Sequence, residues 1–410
     1  MLVNIMFANI IRKTEDEKFR NAGDWIFVFG RRKTGKTFYL KNFTEWDEYF
    51  FVTREGSVIR DDEVLTFAEF FPLFKSLLEG GKAIIVDEFH RLPPIFLDYL
   101  HSSSRKGKLR VVSSTLWLSH QLMEKRSPIL GLFYAIPFSI IDERDILNSI
   151  RIGNKKERIE TAVYLREPIL IPFYKPPVRK FLARYLVDNK MTLQGLVGEI
   201  FREEEKYLSN VYDGIMHAVA SGKNTSSEIS SFLFSRGLLS KDNPGLIQGY
   251  LNTLVSMGIF QKEKVWEKKK FVYHHLSPLL DLFFYADEKY GLMETELAPG
   301  FIRRVIDEKL PFHVERFVCS LASKVYGMEA VKIDEPEIDL ALVSFKKLRV
   351  VGEIKWGKVS ADDVRTVEKK LDGFDVEEKI LVVPDKTGLH SKTLRIMEPA
   401  DLLSSHQHFR

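Results

Sequence analysis

Between residues 25 and 141 the chain alternates short apolar runs with longer stretches in which apolar side chains recur every three or four positions. The runs WIFVF, YFFVT, AIIVDE, LRVVSST and FYAIPFSII are too short for helices and too continuously apolar for strands with one wet face. They predict strands separated by amphipathic crossover helices, and so a parallel sheet. From 142 to 205 the strand signal gives way to charged helical sequence interrupted by Pro168, Pro172, Pro176 and Pro177, which reads as a helical lid and linker. Helical periodicity then returns at 211–219, 226–234 and 246–257, with a turn at Lys241-Asp242-Asn243-Pro244, before two short strands flanking KEKVWEKKK. Three helices and a charged hairpin predict a winged helix-turn-helix. Past Pro311 the pattern predicts a helix carrying Glu315, strands at IDLALVS and LRVVGEIKW, a helix near 361–371 and a strand at KILVVP.

Composition narrows the class without deciding the function. A chain of 410 residues divides into several domains, and its 45% hydrophobic content supplies packed cores for them. A net charge of +4 is small against 61 basic and 57 acidic side chains, so any nucleic-acid surface must come from local clustering. The single cysteine, Cys319, excludes an intramolecular disulfide and a cysteine-built zinc site, and suits a reducing compartment. The opening MLVNIMFANII lacks a basic first segment and a small-residue cleavage site, so it predicts a buried terminal segment rather than a signal peptide. No apolar run reaches the roughly 18 residues that a membrane helix needs. A cytoplasmic protein with no membrane partner is expected.

Candidate chemistry begins at residues 30 to 37, GRRKTGKT, directly behind the first apolar run. A glycine, four residues and Gly-Lys-Thr between a strand and a helix form a phosphate cradle. Gly30 and Gly35 let the backbone turn with its N–H groups inward, Arg31, Arg32, Lys33 and Thr34 complete the loop, and Phe38 follows it. Lys36 then reaches the β- and γ-phosphates of ATP, and the Thr37 hydroxyl holds Mg²⁺. Further on, AIIVDEFH ends a buried strand in two carboxylates: Asp87 for the magnesium and Glu88 as base for the attacking water. LRVVSST predicts the next core strand, where Ser114 either senses the γ-phosphate or caps the strand end.

Together FVFGRRKTGKT, IIVDEFHRLP, VVSST and SPILG resemble the archaeal ATPase family of AAA+/STAND-related P-loop NTPases, over approximately residues 8 to 200. The resemblance implies an ATP-hydrolysing core with a helical lid. That family follows its SPL-like residues with Gly-Arg, whereas here the chain runs Ser127-Pro128-Ile129-Leu130-Gly131-Leu132. With that arginine missing, slow hydrolysis or an arginine supplied by a protein partner is expected.

The segment 206–285 resembles the winged helix that follows the ATPase in these proteins, a fold associated with DNA. Its third helix, within 243–258, carries no lysine or arginine to meet phosphates or base edges. Only the wing is basic, with Lys262, Lys264, Lys268, Lys269 and Lys270 around Trp266. Packing and DNA contact through the wing remain the two roles open to it. His274 and His275 read as strand residues beside the wing.

In the tail, a three-residue hairpin loop at Phe345-Lys346-Lys347 would set Asp339 directly opposite Glu353, with Lys355 on the same face. Opposed side chains have Cβ atoms about 5 Å apart, close enough for two carboxylates to share Mg²⁺ or Mn²⁺. The same register also sets Glu337 opposite Lys355, a plain ion pair that would need no metal. Asp339 with Glu353-Ile354-Lys355 resembles the PD-(D/E)xK nuclease core, and Glu315 matches that family's additional acidic residue. The resemblance implies metal ligation by Glu315, Asp339 and Glu353, and catalysis with Lys355.

The expected organisation is therefore an α/β chain. A P-loop NTPase parallel sheet (1–141) precedes a helical lid (142–205), a winged helix-turn-helix (206–290) and a restriction-endonuclease-like α/β domain (291–410). The expected function is ATP binding and hydrolysis controlling the winged helix and a metal-dependent nuclease-like domain on DNA. The alternative is a nucleotide-dependent regulatory switch with a catalytically silent tail.

Overall fold

All five apolar runs form strands of one sheet. The structure is a computed structural model describing residues 12–116, 131–152, 154–204 and 206–402. The opening apolar segment and Ser127, Pro128, Ile129 and Leu130 lie outside the described residues. The first unit contains α1 (Lys13–Asn21), β1 (Trp25–Phe29), α2 (Lys36–Phe43), β2 (Glu48–Val52), β3 (Val58–Arg60) and β4 (Glu63–Leu65). It continues with α3 (Phe67–Glu79), β5 (Ala83–Asp87), α4 (Ile95–Ser102), β6 (Lys108–Ser113) and β7 (Tyr134–Pro137). The strand order is β4-β3-β2-β5-β6-β1-β7. From β2 to β7 every neighbouring pair is parallel. The β3–β4 hairpin extends the β2 edge antiparallel.

Burial on both faces explains why β1 is apolar throughout. Trp25, Phe27 and Phe29 pack with Phe70, Phe74 and Phe96 on one face. Ile26 and Val28 pack with Tyr39, Leu40, Ile136 and Phe138 on the other. A parallel sheet of this kind presents its functional crevice at the carboxyl ends of the strands. The residues following β1, β5 and β6 are the phosphate loop, Glu88 and Ser114.

The lid comprises α5 (Glu143–Ser149), α6 (Lys155–Leu165), a 3₁₀ segment (Pro168–Phe173), α7 (Val178–Asp188) and α8 (Lys190–Glu203). The expected three helices follow as α9 (Asn210–Ala220), α10 (Ser226–Ser235) and α11 (Pro244–Ser256), then the hairpin β8 (Phe260–Val265) and β9 (Phe271–His275). His274 and His275 are buried strand residues, and the His275 Nε2 lies 3.0 Å from the Met216 carbonyl oxygen.

Beyond α12 (Pro278–Tyr290) and α13 (Pro299–Tyr326) come β10 (Glu329–Asp334), β11 (Glu337–Ile338), β12 (Leu340–Ser344) and β13 (Lys347–Ile354). Then follow α14 (Ala361–Asp372), β14 (Glu378–Val382) and β15 (Arg395–Met397). β10, β12 and β13 are successively antiparallel, whereas β14 and β15 continue parallel to β13. Both faces are again covered. Leu342, Val350 and Ile380 meet Val318 and Leu321 of α13, while Val343, Val351 and Leu381 meet Val364, Val367 and Leu371 of α14.

Two expectations need correcting. Pro311 does not begin a helix; it lies inside the 28-residue α13. A mid-helix proline costs about 3 kcal/mol or more, and the buried face from Ile302 to Val325 outweighs it. The hairpin loop has two residues, Phe345 and Lys346, both with positive φ, and Ser344 pairs with Lys347. An extra residue, Arg349, then shifts the register, so that Leu340 still pairs with Gly352 and Asp339 stays in line with Glu353. The loop differs from expectation while the carboxylate register holds. The wing, for its part, is tied to the tail. β8 runs parallel to β10, with Lys264 opposite Val331, so the winged helix and the tail share one sheet. Lys268 and Lys270 face Asp334 at 3.5 and 3.9 Å.

Candidate functional site

At the phosphate loop each glycine has its own reason. A Cβ on Gly30 would lie 1.9 Å from the Phe138 carbonyl oxygen, so close approach of β7 requires glycine there. Gly35 has φ +86° and caps α2, leaving that helix's first N–H groups aimed along the loop. Lys33 also has positive φ, +64°. The Thr34 hydroxyl donates to the Arg31 carbonyl at 2.8 Å, closing the turn from within.

Lys36 is buried and folded back, donating to the carbonyl oxygens of Gly30 at 2.8 Å and Arg31 at 3.0 Å. Burial pulls its ammonium down to about 8, with Glu88 and Asp87 partly opposing that fall. The Thr37 hydroxyl donates to the Asp87 carboxylate at 2.6 Å, which brings the two expected magnesium ligands together. Tyr49, which reads as one more apolar strand residue, donates its hydroxyl to the same oxygen at 3.0 Å. Burial raises the Asp87 carboxyl and the Glu88 charge adds to that push; the Thr37 and Tyr49 hydrogen bonds work against it.

Glu88 has φ +59°, a conformation that side-chain-bearing residues seldom adopt. One of its oxygens accepts from both the Ser114 backbone N–H (3.0 Å) and hydroxyl (2.9 Å). Ser114 therefore holds the Glu88 carboxylate rather than projecting alone from the strand end. Leu132, where the family resemblance calls for arginine, is buried.

The two loop arginines leave the cradle. Arg31 is buried against Glu167 at 2.8 Å, with its Nε and Nη1 unpartnered. Arg32 reaches Glu199 at 3.0 Å and Glu203 at 2.9 Å on α8. Glu203 also receives Arg54 at 2.8 Å and Arg91 at 2.7 Å. Against the upward push of burial, the Arg91 and Arg54 hydrogen bonds hold the Glu203 carboxyl below its ordinary range. Glu88, His90 and Glu203 each bring one ligand atom within 4.8 Å of the others. The three guanidinium partners of Glu203 and the Ser114 donors on Glu88 already serve those oxygens, so the trio is a charge-balanced cluster rather than a metal centre.

Beside the loop lies an apolar cavity of about 300 Å³, lined by Phe38, Tyr39, Ile141, Pro168, Ile169 and Pro172. Its size and lining suit a flat heteroaromatic base, with the phosphate loop at its edge through Lys33 and Gly35. Phe38 is 61% exposed at its mouth. Arg12, from the segment ahead of α1, donates to the carbonyl oxygens of Thr34 (2.6 Å) and Ser139 (3.1 Å), strapping the loop to the segment after β7. Sequence reasoning missed Arg12, Tyr49, Arg54, Arg91, Glu167 and Glu203. Only contacts distant in sequence distinguish them from ordinary strand and surface residues.

In the tail, Leu340 pairs with Gly352, which keeps Asp339 in line with Glu353 as the register predicts. Asp339 accepts from the Ile354 N–H at 2.9 Å. Burial raises its carboxyl, the Ile354 N–H lowers it and Glu353 raises it again. Glu353 is buried, with Lys355 at 3.2 Å and Lys370 of α14 at 2.6 Å. Glu315, on α13, is pushed up to about 7 by burial and then by Asp339. The simple ion pair of Lys355 with Glu337 is not formed; Glu337 instead meets Lys332 at 3.0 Å. Among the described residues, Glu315, Asp339 and Glu353 do not bring three ligand atoms within 4.8 Å of one another.

No protein-family model and no curated protein matches this chain. Solved structures give weak likenesses. The ORC2 protein of Aeropyrum pernix, in ADPNP-ADP complexes, has a TM-score of 0.37 and 12% identity, covering 73% of this chain and 91% of its own. The Aeropyrum pernix ORC1 protein in complex with DNA has a TM-score of 0.29 and 12% identity, covering 69% and 92%. Drosophila ORC bound to DNA has a TM-score of 0.23 and 11% identity, covering 68% and 85%. Likeness of this degree assigns no function to this chain.

Proposed function

We propose that the chain binds ATP with Mg²⁺ and hydrolyses it, and that the nucleotide state is passed through the lid to the winged helix and tail, acting on DNA. The observation that carries this reading is the Thr37 hydroxyl on the Asp87 carboxylate at 2.6 Å, with Glu88 next in the chain. In the bound state a magnesium ion would take its protein ligands from those two side chains, and the metal would neutralise charge between the phosphates. Glu88 would accept the proton of the attacking water, and the Ser114 donors orient it. The N–H groups opening α2 and Lys36 would hold the phosphates, while the apolar cavity takes the base. Isothermal titration of the full chain with ATP and Mg²⁺, compared with Lys36→Ala, tests it. Equal affinities would sink the reading.

For the tail, we infer a metal-dependent nuclease-like site at Glu315, Asp339 and Glu353, with Lys355 positioned to stabilise developing charge. The register that aligns Asp339 with Glu353, and the raised carboxyl of Glu315, support this reading. A second reading, a catalytically silent tail in a regulatory switch, is favoured by Lys355 and Lys370 together neutralising Glu353 without a metal. Incubation of the full chain with labelled duplex and single-stranded DNA, with Mn²⁺ or Mg²⁺ and with or without ATP, separates the two. Cleavage that Asp339→Ala abolishes supports the first, and no cleavage under any condition supports the second.

A further inference from the structure

Three guanidinium groups from three separate segments converge on a single lid carboxylate. Arg32 comes from the phosphate loop, Arg54 from the residues after β2, and Arg91 from the short 3₁₀ turn after β5. The carboxylate that all three share is Glu203 of the lid, on the last turn of α8, with its side chain 5% exposed; Arg32 also reaches Glu199 on the same helix. One Glu203 oxygen lies within 4.8 Å of a Glu88 carboxylate oxygen. Two carboxylates at that separation repel each other unless cations stand around them. Here the cations are fixed by the core, and the anion is brought by the lid.

We propose that Arg32, Arg54 and Arg91 form a subsite for the terminal phosphate of a bound nucleoside triphosphate, occupied in this structure by the Glu203 carboxylate. The inference rests on the ATP reading above and deepens it. The subsite borders Glu88, the group assigned to the attacking water, and a water in line for attack must sit between that base and the terminal phosphate. Lys36 also feels the charges of Glu88 and Arg32, so the phosphate lysine and the arginine cluster share one neighbourhood. A carboxylate offers two oxygens, whereas a terminal phosphate offers three and more charge. Planar guanidinium forks suit the phosphate at least as well.

The exchange has a mechanical consequence. Glu203 ends α8, and α9 of the winged helix begins at Asn210. When a triphosphate takes the arginines, Glu203 loses its charge partners and the end of α8 is no longer held to the core by them. A diphosphate lacks the competing group and leaves the lid contact in place.

The test compares AMP-PNP with ADP by calorimetry on the full chain with Mg²⁺. Glu203→Gln keeps the side chain's size and removes the internal competitor, so AMP-PNP should bind about tenfold tighter while ADP is unchanged. Arg91→Gln should weaken AMP-PNP about tenfold and again leave ADP unchanged. Arg54→Gln is the second probe if Arg91→Gln fails to fold. Equal shifts for both nucleotides, no shift, or weaker AMP-PNP binding in Glu203→Gln overturns the subsite. A different result, AMP-PNP and ADP both indifferent to Lys36→Ala, would bring down the ATP reading itself.

Discussion

The nucleotide site and the tail site both bring acidic residues and a lysine together, yet they balance their charge in opposite ways. Around the phosphate loop, each acidic group already has a partner: Thr37 and Tyr49 on Asp87, Ser114 on Glu88, Arg31 on Glu167 and three arginines on Glu203. Lys36 is turned back onto two carbonyl oxygens of its own loop, and burial lowers its ammonium to about 8. A ligand arriving there must replace internal partners one for one. In the tail, strand register and helix packing hold Asp339 and Glu315 near each other with less compensation. Burial raises both carboxyls, Asp339 adding to the push on Glu315 and Glu353 to that on Asp339, while Glu353 itself draws on Lys355 and Lys370. There a cation would relieve a repulsion the fold has built in. The first arrangement suits exchange of one anion for another, and the second suits capture of a cation.

The largest effect separating the two sites should come from Lys36→Ala. It removes the cation of the phosphate loop, so ATP affinity measured by calorimetry should fall by about 10²-fold or more. Any Mn²⁺-dependent stabilisation of the tail should be untouched. Glu88→Gln keeps shape and hydrogen bonding but removes the base, so turnover should drop roughly 10²-fold with ATP still bound. Turnover that survives would remove Glu88 from its assigned role.

Asp339→Ala tests the other side of the comparison. Wild-type protein should gain thermal stability with Mn²⁺, by about 2.7 kcal/mol when the cation stands at 100 times its dissociation constant. The variant should lose most of that gain and any DNA cleavage, and keep its ATPase rate. The full chain is the right material, because β8 of the winged helix pairs with β10 of the tail.

How far these sites were legible in the sequence follows from the range of their contacts. The octet from Gly30 to Thr37, the pair Asp87 and Glu88, and the alternation that aligns Asp339 with Glu353 are local patterns, and local backbone geometry suffices to read them. The hairpin was misread by one residue because a two-residue loop with a later bulge gives the same far register as a three-residue loop without one. Pro311 was read as a boundary because propensity cannot weigh the burial that carries α13 through it. Arg54, Arg91 and Glu203 were invisible for another reason. They lie in ordinary charged stretches, and only the folding of the lid onto the sheet brings Glu203 to residues 112 and 149 positions away.

A pH titration sharpens the contrast with a smaller effect. The folded-state value of Glu315, about 7, lies above the ordinary 4.5. The stability contributed by its protonated form should therefore be full below about 4.5 and lost as pH rises through about 7. A cation prefers the ionised group, so Mn²⁺ affinity should climb over the same window and flatten the loss. Thermal melts from pH 5 to 8, with and without Mn²⁺, read both slopes. Glu315→Gln should remove the difference between them.

The smallest expected effect belongs to Tyr49, and it probes how tightly the nucleotide site is pre-balanced. Its hydroxyl is one of two side-chain donors on the same Asp87 oxygen, and the Thr37 donor remains when Tyr49 becomes Phe. The ring still fills its half-buried place between α2 and β5, so the loss is one hydrogen bond to a charged acceptor, worth about 1.5–3 kcal/mol at most. Part of that should reappear as a higher Asp87 pKa, because the Tyr49 donor opposes the upward push of burial there. A proton on Asp87 competes with Mg²⁺, so Tyr49→Phe should weaken Mg²⁺-dependent ATP binding most at the acid end of the pH range and progressively less as pH rises. A pH-independent deficit would mean that Tyr49 shapes the strand rather than tuning the carboxylate. No deficit at all would mean that the Thr37 hydroxyl alone holds Asp87 ready for the metal.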